Sequence, residues 1–296
     1  MHWTRQSAGD KVFGILNGTI MIIFSFLCIY PFVYIGVLSL NDAIDAQRGG
    51  IYFWPRVFSL QNYGALFQND TIITAYGISV ARVLLSIVSQ VLLNAMFAHA
   101  ITKKSFFARE FLKWWILIPM YFGGGLLPYY MILYYTHMIN AFRTYIVPAL
   151  YGSFWIILLM TNIKEIPQSL EESATIDGAS EFKIFFQIIL PLIKPVLAAI
   201  ALFVGVGAWN DWFTGYTFIT NTKLWCAQNV LLFIMQSNEP ANLAIAAKLH
   251  KGAKITVTPE SIKMAMLMVT TIPIICIYPF LQKYFVKGVM IGSIKE

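Results

Sequence analysis

The sequence predicts an all-α membrane protein, and three observations carry that prediction. Of its 296 residues, 58% are hydrophobic and only 12% charged, against roughly 25% charged in a soluble domain. The apolar residues come in long runs, and six of these reach the about 20 residues needed to cross about 30 Å of hydrocarbon. Lipid admits only helices or closed barrels, and these runs are too long and too uniform for the alternating strands of a barrel.

Taken in order, the first run is Val12–Leu40, free of charge throughout. It is about twice as long as the apolar region of a signal peptide and no small-residue cleavage site follows, so it reads as a retained span behind a short segment, 1–11. The second run, Thr71–Ala98, holds Arg82 with Gln90 and Asn94 on one helical side. A charge inside a membrane is a functional candidate, and pairing with a carboxylate for structure is the competing reading. The third, Trp114–Tyr135, contains MYFGGGLLPYY (120–130), where three glycines, Gly124 among them, and Pro128 weaken a helix near mid-membrane. Broken backbone at that depth is tolerated where it lines a cavity or protein, and close packing of small residues between helices is the alternative. The fourth run is Thr144–Ile163. The fifth, Pro195–Thr220, carries Trp209, Asn210, Asp211 and Trp212 near its outer end, and the sixth is Met264–Gln282. Residues 12–285 thus form one six-span domain, with a tail over 286–296.

Lysine and arginine set the orientation. With the N-terminus inside, twelve of them, from Arg5 to Lys295, face the cytoplasm and eight face outward, five of those eight in or beside one long loop, 221–262. Both termini are therefore expected in the cytoplasm. The net charge of +7 is then a matter of topology, and no nucleic-acid partner is implied. Cys28, Cys226 and Cys276 suggest no disulfide framework. No phosphate-cradling GxxxxGK[ST], HExxH, CxxC or GxSxG occurs, and the four histidines are scattered. No enzyme or metal reading has a constellation to rest on.

The loop over 164–190 is the most polar interruption. Pro167 suits a helix start, and Gln168–Ile176 contains good helix formers with acids near its beginning, where the helix dipole favours them. Asp177-Gly178 signals a turn. A second helix over Ala179–Ile189 places Phe182, Phe185, Phe186 and Ile189 on one apolar face, and Pro191 begins the next span. From Lys164 to Lys194 three lysines face five carboxylates, an acidic balance that an inside loop does not ordinarily carry. A solvated connector would account for it, and so would a surface held by another protein.

The stretch IPQSLEESATIDGASEFKIFFQIILPLIKP resembles the cytoplasmic "EAA" loop of binding-protein-dependent ABC importer permeases. Glu172-Ser173-Ala174, Gly178, Ile188, Leu190 and Pro191 stand at that pattern's spacings, with Ser173 where the pattern has Ala. WNDWF (209–213) and the ending KGVMIGSIKE are similar to the carbohydrate-uptake branch, specifically the maltose-type inner subunit and permeases for pectin-, rhamnogalacturonan- and alginate-derived oligosaccharides. The resemblance runs from about Ser25 to the end. It implies a bacterial cytoplasmic (inner) membrane protein assembled as a heterotetramer with a second homologous permease and two ATPase subunits. ATP and Mg are held by the ATPases and no cofactor by this chain, and an extracytoplasmic solute-binding protein delivers the oligosaccharide. It also implies that Glu171, Glu172, Ser173, Ala174, Asp177, Gly178, Leu190 and Pro191 couple the spans to the ATPase, with Glu172 facing a basic residue there.

Joined to that resemblance, the in-membrane polar and aromatic residues become candidates for a sugar path: Arg82, Asn94, Tyr121, Gly124, Tyr129, Tyr130, Trp209, Asn210, Asp211 and Trp212. The tryptophans also suit simple interfacial anchors. Lys248, Lys251 and Lys254 in the outer loop suit steering of an acidic oligosaccharide, contact with the binding protein, or plain solvation. An ion-coupled secondary sugar transporter is the alternative function; it would need mid-membrane carboxylates, and Asp211 alone lies within a span.

Overall fold

The computed structural model describes residues 8–236 and 257–291. Lys248, Lys251 and Lys254 of the outer loop lie outside the described residues. Among those described, extended pairing is limited to one bridge between Asn41 and Phe58. The chain divides into two compact units, one from the residues before 70 with 234–272, the other from 70–233 with the residues from 273 on.

In the first unit α1 (Ala8–Ser39) is apolar on all sides, and most of those side chains are exposed, as a lipid-facing helix requires. It stops at a polar knot formed with α2 (Ala43–Ala46) and α3 (Gln61–Phe67). Buried Asn62 donates from Nδ2 to the carbonyls of Ser39 and Asn41 at 2.9 Å each, satisfying oxygens that a helix end leaves unpaired. Buried Asn41 accepts from the Val57 amide at 2.9 Å and donates to Asp45 at 3.1 Å.

The second unit is organised around α4 (Asp70–Thr102). It continues with α5 (Arg109–Tyr121), α6 (Leu126–Tyr135), two 3-10 turns (Phe142–Tyr145 and Val147–Ala149) and α7 (Ser153–Lys164). Next come α8 (Gln168–Ile176), α9 (Glu181–Ile184), a π turn (Phe185–Ile189) and α10 (Leu190–Leu192). α11 (Lys194–Asn210), α12 (Phe213–Phe218) and α13 (Ala227–Gln236) complete the series before the last helix. α14 (Pro259–Ile291) gives its residues from 273 on to this unit. The buried face of α4 is polar, with Ser79, Arg82, Ser86, Gln90 and Asn94 three or four residues apart. Its leucines and valines, Leu84, Leu85, Val88 and Leu93, face outward. α11 lies close along it: a Cβ on Gly205 would stand 3.0 Å from Ile87, the close approach that small residues permit in membranes.

Several expected runs are not single helices. Three are long and apolar enough to cross a membrane, within α1, α4 and the start of α14 (Pro259–Ile277), and two further pairs pass only as bent spans. The fourth run is bent by 43° between its 3-10 turns and α7, where Pro148 lacks an amide donor and Gly152 adopts an extended backbone. The fifth run ends as a helix at Asn210, because Asp211 is extended (φ −74°, ψ 100°), and resumes only as α12. The third is broken at 122–125, with Gly125 at φ +82°. The sixth is longer than expected and helical to Ile291, so 286–291 is not a separate tail. The outer loop expected over 221–262 contains α13, with Ala227, Asn229 and Val230 buried.

Candidate functional site

The loop joining α7 to α11 is built as a helix, a turn and a second helix. α8 begins just after Pro167, which sits at its N-cap, and ends in a Schellman turn. The Ala179 amide reaches the Ala174 carbonyl at 2.9 Å and the Gly178 amide reaches Thr175 at 3.0 Å, so the last helical carbonyls are satisfied. Gly178 adopts φ +77° with open space where a side chain would be, so the backbone angle alone calls for glycine. Ser180 then caps α9, its hydroxyl accepting from the Lys183 amide at 3.4 Å.

One face of this unit packs inward. Ala174, Ala179, Leu190, Ile184, Phe185 and Ile189 join a core with Ala98 and Ile101 of α4 and Ile163 of α7. The apolar face expected from the 3–4 spacing is therefore only half right: Phe185 and Ile189 are buried, while Phe182 and Phe186 are 66% and 48% exposed. The buried face centres on Ile184 and Phe185, which leaves Phe182 on the open side, and the wider winding of the π turn at Phe185–Ile189 shifts Phe186 away from an α-helical register. Pro191 lies inside α10, and the span proper begins after an 81° bend, at Lys194-Pro195.

The opposite face is open. Glu172, Ser173, Asp177 and Gly178 are exposed, and Ile176 is 86% exposed. No ion pair engages Glu172 or Asp177 among the described residues. Glu171 is different. It is turned inward to Lys103, just past the end of α4, with Nζ–Oε2 at 2.5 Å. The same ammonium lies 3.1 Å from Glu181, the first residue of α9, and buried His99 stands 3.6 Å from that carboxylate. Burial pulls the Lys103 ammonium down, but the hydrogen bonds and charges of Glu171 and Glu181 outweigh it, so the group titrates above the ordinary lysine range.

The membrane-embedded candidates separate into three groups. Buried Arg82 forms an ion pair with half-buried Asp211. Arg82 also donates to the Asp211 carbonyl at 3.2 Å, approaches Cys226 Sγ at 3.7 Å and stacks over the Tyr145 ring at 4.3 Å. The other Asp211 oxygen accepts from the Thr214 amide at 3.1 Å, at the start of α12. Asn94 likewise serves the backbone: it donates to the Leu150 carbonyl at 3.1 Å and accepts from the Gly152 amide at 2.9 Å, where the fourth run is bent. Of the two readings open for Arg82, the structural pair is the one observed.

Tyr129, Tyr130 and Trp212 fall in a second group, linked through Phe213 and Phe218. Tyr129 and Tyr130 both meet Phe218, at 5.5 Å and 6.3 Å, while Phe213 joins Phe218 at 6.3 Å and Trp212 at 5.8 Å. This partly exposed aromatic surface lies on α6 and α12. Trp209 belongs elsewhere. It meets Tyr76 at 5.8 Å and lines an apolar cavity of about 620 Å³ between α4, α11 and α14, with Ile87, Leu202, Gly205 and Ile277. Tyr121, Gly124 and Asn210 are exposed and join neither group among the described residues.

Sequence reasoning did not single out Lys103, His99, Tyr145, Cys226 or Asn229, whose Nδ2 donates to the Trp212 carbonyl at 2.6 Å. Lys103 had a signal, a lysine at an inner span end opposite an acidic loop, but the topology rule already accounted for it.

Known proteins resemble this chain in sequence and in fold. The chain is 30% identical to protein LplC of Bacillus subtilis, over 100% of this chain and 99% of that protein. It is 29% identical to the polygalacturonan/rhamnogalacturonan transport system permease protein YtcP of the same organism, over 97% and 99%. The crystal structure of a bacterial ABC transporter involved in import of the acidic polysaccharide alginate contains a chain with the same fold, at TM-score 0.88 and 24% identity, covering 95% of this chain and 99% of that one. Residues 93–291, which include the whole loop and the bent spans on either side, match the binding-protein-dependent transport system inner membrane component family, and the chain belongs to that family.

Proposed function

We propose that this chain is one of two homologous permease subunits in an ATP-driven oligosaccharide importer of the bacterial cytoplasmic membrane. In this reading it crosses the membrane six times, through the three long helices, the two bent pairs and the α5–α6 pair, with both termini in the cytoplasm. Two ATPase subunits bind ATP and Mg, and an extracytoplasmic binding protein presents the sugar. The observation that carries the reading is the two-faced loop. Its inner face is fixed to α4 and α7, while Glu172, Ile176, Asp177 and Gly178 stand free on a rigid turn. A surface of this kind suits docking into another protein: the carboxylate pairs with a basic group and the exposed isoleucine is covered. ATP-driven closure of the ATPases then moves the loop, and the loop moves the spans.

The substrate is an oligosaccharide, and an acidic one is favoured by the substrates named for two similar proteins, polygalacturonan/rhamnogalacturonan and alginate. The aromatic surface of Tyr129, Tyr130 and Trp212 is the proposed sugar-facing element. Asp211, the span carboxylate an ion-coupled carrier would need, is engaged by Arg82. The test is reconstitution with the ATPases and binding protein. A uronate oligosaccharide should stimulate ATP hydrolysis more than a neutral one of equal length, and Glu172→Lys should insert but lose uptake and ATPase co-purification. Normal uptake and normal co-purification in that variant would remove Glu172 from the docking surface.

A further inference from the structure

Docking explains the exposed face of the loop but not how a pull on it reaches the membrane. Every covalent route from the loop into the spans passes a bend or an irregular turn. At the exit lie a π turn and the 81° bend before α11. At the entrance, α7 ends at Lys164, and Ile166 and Pro167 intervene before α8. Neither junction is a stiff rod. α4 runs unbroken for 33 residues, and its C-terminal end packs against the loop through Ala98 and Ile101.

At that end a single ammonium meets both loop helices. Lys103 lies one residue beyond α4 and holds Glu171 in the first turn of α8 at 2.5 Å and Glu181 at the start of α9 at 3.1 Å. The side chains of Lys103 and Glu171 are 21% and 22% exposed, and that of Glu181 is 67% exposed. Without the ammonium, the two carboxylates would face each other at the water boundary with no counter-charge. The apolar contacts of Ala174, Ala179 and Ile184 hold the loop near α4, but contacts of that kind can slide, whereas a charge bridging two helix starts fixes their register.

We infer that Lys103 is the positioning residue that transmits loop movement to α4, by clamping the beginnings of α8 and α9 to the inner end of that span. The inference rests on the docking reading. Lys103 itself touches neither sugar nor ATPase in this arrangement; it acts through Glu171 and Glu181.

The test uses the full reconstituted transporter with its ATPases and binding protein, and reads sugar imported per ATP hydrolysed. Lys103→Met keeps the apolar stem and removes the charge. The ATPase should still co-purify, and import per ATP should fall by roughly fivefold or more, the low end for coupling between sites. Lys103→Arg, which also bridges two carboxylates, should retain coupling. Should Lys103→Met fail to insert, Glu171→Gln removes one arm only and should give an intermediate loss. The triple variant Lys103→Met/Glu171→Gln/Glu181→Gln removes the repulsion together with the clamp. It should remain uncoupled; recovery to the wild-type ratio would mean that Lys103 only neutralises charge, and would overturn the inference. So would a Lys103→Met transporter with an unchanged ratio. A wild-type preparation that brings down no ATPase would instead overturn the docking reading, and the clamp with it.

Discussion

Arg82 and Lys103 are two basic residues of the α4 segment, and each fastens a broken part of the chain to it, yet they sit in opposite surroundings. Arg82 is buried within α4 and holds the extended residue Asp211 between α11 and α12, with Tyr145 stacked against it. Lys103 sits just past the C-terminal end of α4 and holds two helix starts through Glu171, 22% exposed, and Glu181, 67% exposed. Removing one partner of a buried pair strands a charge in a medium that cannot solvate it. The carboxylates themselves differ less: Asp211 and Glu171 are 25% and 22% exposed, and only Glu181, at 67%, is largely hydrated. The contrast lies in the cations, Arg82 at 5% and Lys103 at 21% exposed, and in the open second arm of the Lys103 bridge.

Four variants sharpen that contrast. Arg82→Leu should be the most damaging, costing about 2–3 kcal/mol, because the buried guanidinium's contacts to Asp211 and Tyr145 are lost while Asp211, a quarter exposed, keeps some hydration. Thermal unfolding in detergent should show it as a large loss of stability, with little protein surviving purification. Gly178→Val comes next, at about 1–2 kcal/mol of local strain for a side chain at positive φ. Because the space around Gly178 is open, the whole effect should be backbone strain in the loop, lowering ATPase co-purification while the spans stay folded. Ser173→Ala, on the exposed side of α8, should leave both within error. Lys103→Met should cost less than Arg82→Leu, about 1–2 kcal/mol, because Glu181 is mostly exposed although Glu171 is not. If it destabilised the protein as much as Arg82→Leu, the distinction between the two fastenings would fail.

Much of this was legible in the sequence, and the exceptions have physical causes. Apolar runs located the three long helices and the two bent pairs because lipid demands length, and Gly178 was readable because an Asp-Gly turn has few backbone solutions. Length does not reveal continuity. Pro148, Gly152 and the Asp211 break were in plain sight within the fourth and fifth runs, but their lost backbone bonds are restored by Asn94 and Asn229 from elsewhere in the chain. Composition also cannot show which side of a membrane helix faces in, since leucine suits lipid as well as a core. Only Arg82, Gln90 and Asn94 marked the inner face of α4, and they did so as polar residues. The inner clamp was not legible: Lys103 and Glu171 are 68 positions apart, and every inside loop has lysines. The loop's apolar face was misread at Phe186 because a 3–4 spacing assumes α-helical winding and carries no sign of a π turn, and at Phe182 because the buried face centres on Ile184 and Phe185.

The central claim is that the open face of α8 meets an ATPase, and a cross-link tests it most directly. A cysteine at Ile176, which is 86% exposed, should join to the ATPase subunit through a short bis-maleimide, giving one product of the two summed masses. A cysteine at exposed Lys223, expected on the other side of the membrane, should give none. A product from Ile176→Cys alone is the predicted result; no product there, or an equal one from Lys223→Cys, would contradict the account.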